Sequence, residues 1–320
     1  MKCINNKTIV SALCTIAMVL TTACSSSSYS LSYSVENYLG TNQNIYYDTF
    51  ASDLCVVNDD VNSDSLSMSE ASCVGLFDLN NRETLYALNV NEQVNPASLT
   101  KVMTALVALK YGSLDQKLTA TSNVYVTESG AQKISLKEGD SMTLDQALRI
   151  LLIYSANDVA NLIAENIGGS IDGFVELMNE EAWAIGATKT HFVNPHGLTA
   201  EDHYTTPYDM YLMFNAAMKY DTFQEIIAMS EYTTVYYNSA GESQEITVNA
   251  TNLYAKGTQT APSNITVIGG KTGTTNAAGH CLILLARDNA SNPYIAVIMR
   301  AESSDTLYSE MTNLLEEIVN

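Results

Sequence analysis

The chain has 320 residues and a mass of 34.8 kDa, with 46% of its residues apolar, enough to fill a real core and to exclude disorder as its main state. Fifteen Lys and Arg against 35 Asp and Glu give a formal charge of −20 and a pI near 4.3, and no basic run occurs, which sets nucleic acid aside as a partner. Six cysteines without a C-x-x-C pair exclude a disulfide scaffold and a zinc ribbon.

Lys2 and Lys7 precede an uncharged, mostly apolar run from Ile9 to Leu20. Residues 1–23 therefore read as a secretory signal peptide. The run is shorter than the ~20 apolar residues of a membrane-spanning helix, and no later segment reaches that length. Leu20-Thr21-Thr22-Ala23-Cys24 resembles a bacterial lipoprotein cleavage box, with Leu one place further from the cysteine than usual. Lipidation of Cys24 would anchor the exported protein in the outer leaflet of the membrane; cleavage after Ala23 and free secretion is the alternative. Residues 24–47, rich in Ser, Asn and Tyr and without a period, read as a flexible tether, which leaves 48–320 for the folded domain. Residues 53–70 are acidic and polar and predict no element.

From Cys73 to Leu79 and from Glu83 to Leu88, two strands flank an Asn80-Asn81 turn, a β-hairpin. Leu99, Val102, Met103, Leu106 and Val107 recur at helical spacing with no charge between Lys101 and Lys110, predicting a helix buried on most sides. Further helices are predicted over Leu144–Tyr154, opened by Thr143 and Gln146 in a capping-box pattern, over Asp158–Ile167, over Ile171–Ile185, and over Pro207–Lys219 behind Thr206. The period then changes. Tyr232–Tyr237, Glu245–Asn249, Ile265–Gly270, Cys281–Arg287 and Tyr294–Arg300 read as strands, and the residues after Ser304 as an amphipathic helix. Strands at both ends with helices between them predict an α+β fold: an antiparallel sheet flanked by helices, with a helical insertion subdomain.

Lys101 is the only lysine with a serine three places before it, in Ser98-Leu99-Thr100-Lys101. If a helix starts near Ser98, one turn sets the amine over the hydroxyl, and a neutral lysine can then take the proton of a weak nucleophile. The spacing alone is expected about once in a chain of this length by chance. Two further triplets follow in order: Ser155-Ala156-Asn157 in a break between predicted helices, and Lys271-Thr272-Gly273 ending a predicted strand.

Together these three motifs are the signature set of penicillin-binding proteins and serine β-lactamases. The chain resembles the serine D-alanyl-D-alanine carboxypeptidases, the low-molecular-mass penicillin-binding proteins, from about Cys73 onward. Asn194-Pro195-His196-Gly197-Leu198 with His203-Tyr204, and Gly270-Lys271-Thr272-Gly273-Thr274-Thr275 leading to Ala278-Gly279-His280-Cys281, extend the likeness. The resemblance implies a penicillin-binding-protein/β-lactamase-like fold, peptidoglycan stem peptides ending in D-Ala-D-Ala as substrate, β-lactam antibiotics as ligands, and no cofactor or metal. It implies Ser98 as nucleophile, Lys101 as base, Ser155 in contact with both lysines as proton relay, and Asn157 as an orienting amide. Lys271 would help keep Lys101 neutral, backbone N–H groups of Ser98 and Thr274 would form the oxyanion hole, and Thr272 and Thr274 would lie near the substrate carboxylate. Gly273 also suits a strand lining a cleft where substrate lies alongside, since close approach there needs a residue without Cβ. Several family members carry a second β-rich domain and an anchoring amphipathic helix; this chain is expected to stop after one catalytic domain.

His191, His196 and His203 with Asp202 raise a zinc alternative, but no His-Glu-x-x-His is present and Trp183 has no His beside it. Among the cysteines beyond the signal, Cys73 and Cys281 read as buried small hydrophobes, and a Cys55–Cys73 bridge stays open. Other chemistries on the same motifs are a D,D-endopeptidase acting on cross-links and a serine β-lactamase, for which Glu201 lies in the interval of a deacylating glutamate. A non-catalytic wall-binding lipoprotein is the rival from outside enzymology, and the complete motif set argues against it.

Overall fold

The computed structural model describes residues 51–319 apart from 64–65 and 70–71. The signal, the tether and Cys24 lie outside the described residues.

Nine strands are described: β1 (Cys73–Asp78), β2 (Glu83–Leu88), β3 (Lys117–Thr119), β4 (Ser141–Thr143), β5 (Glu231–Tyr237), β6 (Ser243–Asn249), β7 (Ile265–Thr275), β8 (Gly279–Asp288) and β9 (Pro293–Ala301). Seven helices accompany them: α1 (Thr100–Tyr111), α2 (Leu144–Ile153), α3 (Asn157–Gly168), α4 (Ile171–Ala184), α5 (Pro207–Ala217), α6 (Asp221–Ile227) and α7 (Ser304–Glu316). The large sheet is antiparallel with order β2-β1-β9-β8-β7. Its central strands are almost continuously apolar because both faces are covered. Leu282, Leu284, Ala296 and Ile298 pack with Leu307, Met311, Leu314 and Leu315 of α7. The alternate residues Ile283, Leu285, Ile295 and Val297 face the main core, where α5 lies on β1 and β9 with α1 behind it.

Local chemistry sets the helix starts. Thr143 and Gln146 close a full capping box at α2, and Thr206 accepts the Asp209 N–H at α5, with Pro207 in the first turn. In α1 every residue from Thr100 to Ala108 is buried, so the chain wraps this helix on all sides and brings Lys101 into the core.

Two expectations need correction. Strands β5 and β6 do not join the main sheet; they form a second one, of order β3-β4-β5-β6, with two three-residue strands too short to show a period. The Lys271-Thr272-Gly273 triplet does not end its strand, since β7 continues to Thr275 and pairs with β8 throughout that stretch. Cys55, Cys73 and Cys281 are all buried and free, so no Cys55–Cys73 bridge forms; the Cys55 thiol donates to the Asp78 carbonyl at 3.2 Å. The polar segment before β1 has a place as well. Val61 pairs with Ala87, and Ser69 N–H and the Ser72 hydroxyl both donate to the Glu310 carboxylate on α7.

Candidate active site

Ser98 does not sit on α1 itself. It is the middle residue of a 3-10 turn, Ala97–Leu99, that runs straight into the helix. The turn holds Ala97 at φ +47°, a region L-residues rarely occupy, and the surroundings fix it there. Thr100 Oγ1 donates to the Ala97 carbonyl at 2.8 Å and lies 2.9 Å from His203 Nε2. The Val193 N–H donates to His203 Nδ1 at 3.0 Å, so the ring proton belongs on Nε2 and is donated to Thr100. Burial pushes the His203 pKa down to about 4, which keeps that neutral tautomer. Gly197 packs on the same carbonyl so tightly that a Cβ there would lie 1.9 Å from Ala97 O.

Lys101 is wholly buried. Its Nζ lies 2.9 Å from Ser98 Oγ, 2.7 Å from Asn157 Oδ1 and 2.6 Å from the His196 carbonyl oxygen. Desolvation first, and then the charge of Lys271, hold its pKa well below the ordinary 10.5, while Asp158 pulls the other way. A neutral amine has two N–H bonds and one lone pair. Asn157 Oδ1 and the His196 carbonyl can only accept, so they take the two N–H groups, and the lone pair is left to the Ser98 hydroxyl, which donates to it. That is the geometry a general base requires.

Ser155 occupies the break before α3 at φ +71°. Lys271 Nζ donates to its hydroxyl at 2.9 Å and to the Thr272 carbonyl at 2.7 Å. The expected contact of Ser155 with both lysines is only half present, because Lys101 spends its partners on Ser98, Asn157 and His196. Lys271 is also buried, and desolvation pushes its pKa down to about 7.

Gly273 meets a neighbour of a different kind from a bound peptide. A Cβ there would lie 3.0 Å from both Pro96 O and Ser98 N and 3.1 Å from Leu99 N, so its absence lets β7 lie directly against the Ser98 turn. This brings the backbone of Ser98 beside that of Thr274. A cleft of about 680 Å³ opens here, with Ser98, Ser155, Asn157, Thr272, Gly273 and Thr274 in its wall. Since β7 is the outermost strand of its sheet, its free edge can take an extended peptide.

Some of the site left no mark in the sequence. The His196 group that meets Lys101 is a backbone carbonyl, which carries no residue-type signal. Residues 128–132 also line the cleft, held by the Asn157 N–H donating to the Gln132 carbonyl at 2.8 Å and by Ile134 and Leu136 N–H groups donating to buried Asp158. The histidines of the zinc alternative are otherwise engaged: His203 as above, His191 Nδ1 with the Asp202 carbonyl at 2.7 Å, and His196 Nδ1 with the Leu198 N–H at 3.2 Å. Among the described residues no three His, Cys, Asp or Glu side chains group to hold a metal. Glu201 is solvent-exposed and does not line the cleft.

A helix-flanked antiparallel sheet with a buried lysine against a serine at its edge is the architecture of the penicillin-binding DD-peptidases. The structure of the Streptomyces K15 DD-transpeptidase superposes with a TM-score of 0.72 at 26% identity, covering 79% of this chain and 98% of that one. The family model described as D-alanyl-D-alanine carboxypeptidase matches residues 60–303, and the chain belongs to that family. It is 31% identical to D-alanyl-D-alanine carboxypeptidase DacF of Bacillus subtilis over 255 residues, 77% of this chain and 61% of that protein. It is 33% identical to DacB2 of Mycobacterium tuberculosis over 243 residues, 75% of this chain and 79% of that protein. The chain thus spans about three fifths of the length of DacF.

Proposed function

We propose that this protein is a serine-type D-alanyl-D-alanine carboxypeptidase that removes the terminal D-alanine from peptidoglycan stem peptides, and that β-lactams acylate the same serine. The observation that carries this reading is the buried Lys101 amine 2.9 Å from Ser98 Oγ, whose other two neighbours can only accept, so that in its neutral form its lone pair is left to the Ser98 hydroxyl. In the proposed cycle Ser98 Oγ bonds to the carbonyl carbon between the two D-alanines as its proton passes to Lys101. The N–H groups of Ser98 and Thr274 hold the oxyanion. Ser155, backed by Lys271, hands a proton to the leaving amine as the C–N bond breaks, and free D-alanine departs. Water then cleaves the acyl-ester. Asn157 presents its side-chain N–H₂ to the substrate backbone, since its Oδ1 is held by Lys101. Thr272 and Thr274 receive the substrate carboxylate, and no step draws on a metal or cofactor.

The same reading places the enzyme outside the cytoplasm: residues 1–23 as the signal, Cys24 as the lipidated first residue in the outer leaflet, 24–47 as the tether and 48–320 as the catalytic domain. Among the described residues no helix is long and apolar enough to cross a membrane; the anchor at Cys24 rests on the cleavage-box pattern Leu20-Thr21-Thr22-Ala23-Cys24. Incubation with a fluorescent penicillin, followed by intact mass and peptide mapping, should put one adduct on Ser98 and none on Ser98→Ala. Label elsewhere, or none on folded protein, would overturn the assignment. The N-terminal peptide of membrane-extracted protein should carry diacylglycerol on Cys24, and an unmodified Cys24 would remove the anchor.

A further inference from the structure

The cleft holds a group that the mechanism above does not use. Its wall contains one imidazole ring, that of His280 at the start of β8, which can offer a ring N–H. Lys101 and Lys271 lie beneath the wall, and their amines are bonded to Ser98, Asn157, His196, Ser155 and Thr272. Arg300 lies close in the sheet but faces away. In the β8–β9 ladder His280 pairs with Ala301 and the register shifts before Leu282; Arg300 stands in that irregular stretch at φ +64°, and its guanidinium pairs with Glu92 and lines a cavity other than the cleft.

Register also fixes where His280 stands relative to the two threonines. Thr274 is directly opposite His280 in the β7–β8 ladder, and Thr272, two residues back, shares its face. His280 Nδ1 lies 3.4 Å from Thr274 Oγ1, a long contact that leaves the ring available to a ligand. Thr272 Oγ1 is fixed by Thr251 Oγ1 at 2.5 Å. Diagonal cross-strand neighbours are about 7–8 Å apart at Cα, so a carboxylate resting between the two hydroxyls comes within reach of the imidazole.

We infer that His280 is a specificity-determining residue that donates a ring N–H to the C-terminal carboxylate of the peptide and so selects free-acid ends over amidated or extended ones. The inference rests on the carboxypeptidase reading and adds to it the group that answers the substrate's charge. Without His280 only two hydroxyls would meet that charge, and hydrogen bonds to ionised groups are stronger than those between neutral ones.

The test compares kcat/KM for a diacyl-lysyl-D-Ala-D-Ala peptide with that for its C-terminal carboxamide, in the wild-type chain, His280→Ala and His280→Arg. The wild type should favour the acid, His280→Ala should lower the acid-to-amide ratio by about tenfold, mainly through KM, and His280→Arg should restore it. A ratio unchanged in His280→Ala, or equal losses on both peptides, would overturn the role. Penicillin labelling of Ser98 separates the two levels of the argument. A wild type that is labelled while the ratio stays fixed removes His280 alone, whereas a wild type that takes no label and cleaves neither peptide removes the carboxypeptidase reading together with it.

Discussion

Replacing Lys101 with Met keeps the volume of a wholly buried side chain and removes only the amine. Ser98 Oγ then has no base within hydrogen-bond distance, because its one partner among the described residues is Lys101 Nζ at 2.9 Å. A positioned general base is worth about 10²–10⁴ in rate, which is about 3–5 kcal/mol of barrier. The upper half of that range is expected here, since Asn157 Oδ1 and the His196 carbonyl are acceptors that lie against the lysine and not against the serine. Lys101→Arg should fail as badly, because a guanidinium stays protonated and has no lone pair to offer. The assay is the second-order rate of Ser98 acylation by a fluorescent penicillin, followed by stopped flow across pH, with a melting curve to verify folding. Wild-type acylation should rise with pH as Lys101 gives up its proton, on a limb well below 10.5. Lys271→Ala removes a positive charge that penalises protonated Lys101, so that limb should move up. Acylation by Lys101→Met within tenfold of wild type would refute Lys101 as the base.

Three further outcomes test the surroundings. Asp158→Asn removes a negative charge that favours protonated Lys101, so its limb should move down, opposite to Lys271→Ala; an upward shift in the same pH profile would contradict the assigned charges. Gly273→Ala forces a Cβ to 3.0 Å from Pro96 O and Ser98 N, a backbone clash costing about 1–3 kcal/mol. Its melting temperature should fall by some degrees and its acylation rate by more than tenfold, and wild-type acylation would show that β7 does not hold the turn. Release of D-alanine should survive EDTA, and recovery of a lost activity on adding zinc would restore the metal alternative.

Short-range chemistry made much of this protein legible. The capping box at Thr143 and Gln146, the Thr206-Pro207 start, the hairpin about Asn80-Asn81 and the apolar runs of β8 and β9 are set by neighbours a few residues apart, and each stands where its pattern puts it. The three motifs are short as well, and their residue types name a chemistry before any fold is known. Strands β3 and β4 were not legible, since three residues cannot show a period, and with them went the second sheet that claims β5 and β6.

The sequence by itself therefore determined which groups are at hand for the proposed chemistry, because hydroxyl, amine and amide are properties of residues. Only the tertiary structure decided which of them meet. Lys101 reaches Asn157 across 56 residues and the His196 carbonyl across 95, while Lys271 reaches Ser155 across 116, and no local pattern reports such distances. It also decided that Ser98 stands on a strained 3-10 turn, that Ser155 answers to Lys271 alone, and that Gly273 is small for the sake of the turn beside it. The physical reason is that burial is what would fit this amine to the proposed role of base. A lysine's pKa falls when α1 is enclosed on every side and a second buried lysine is brought near, and enclosure belongs to the packed chain, whereas the residue type alone carries an ordinary amine.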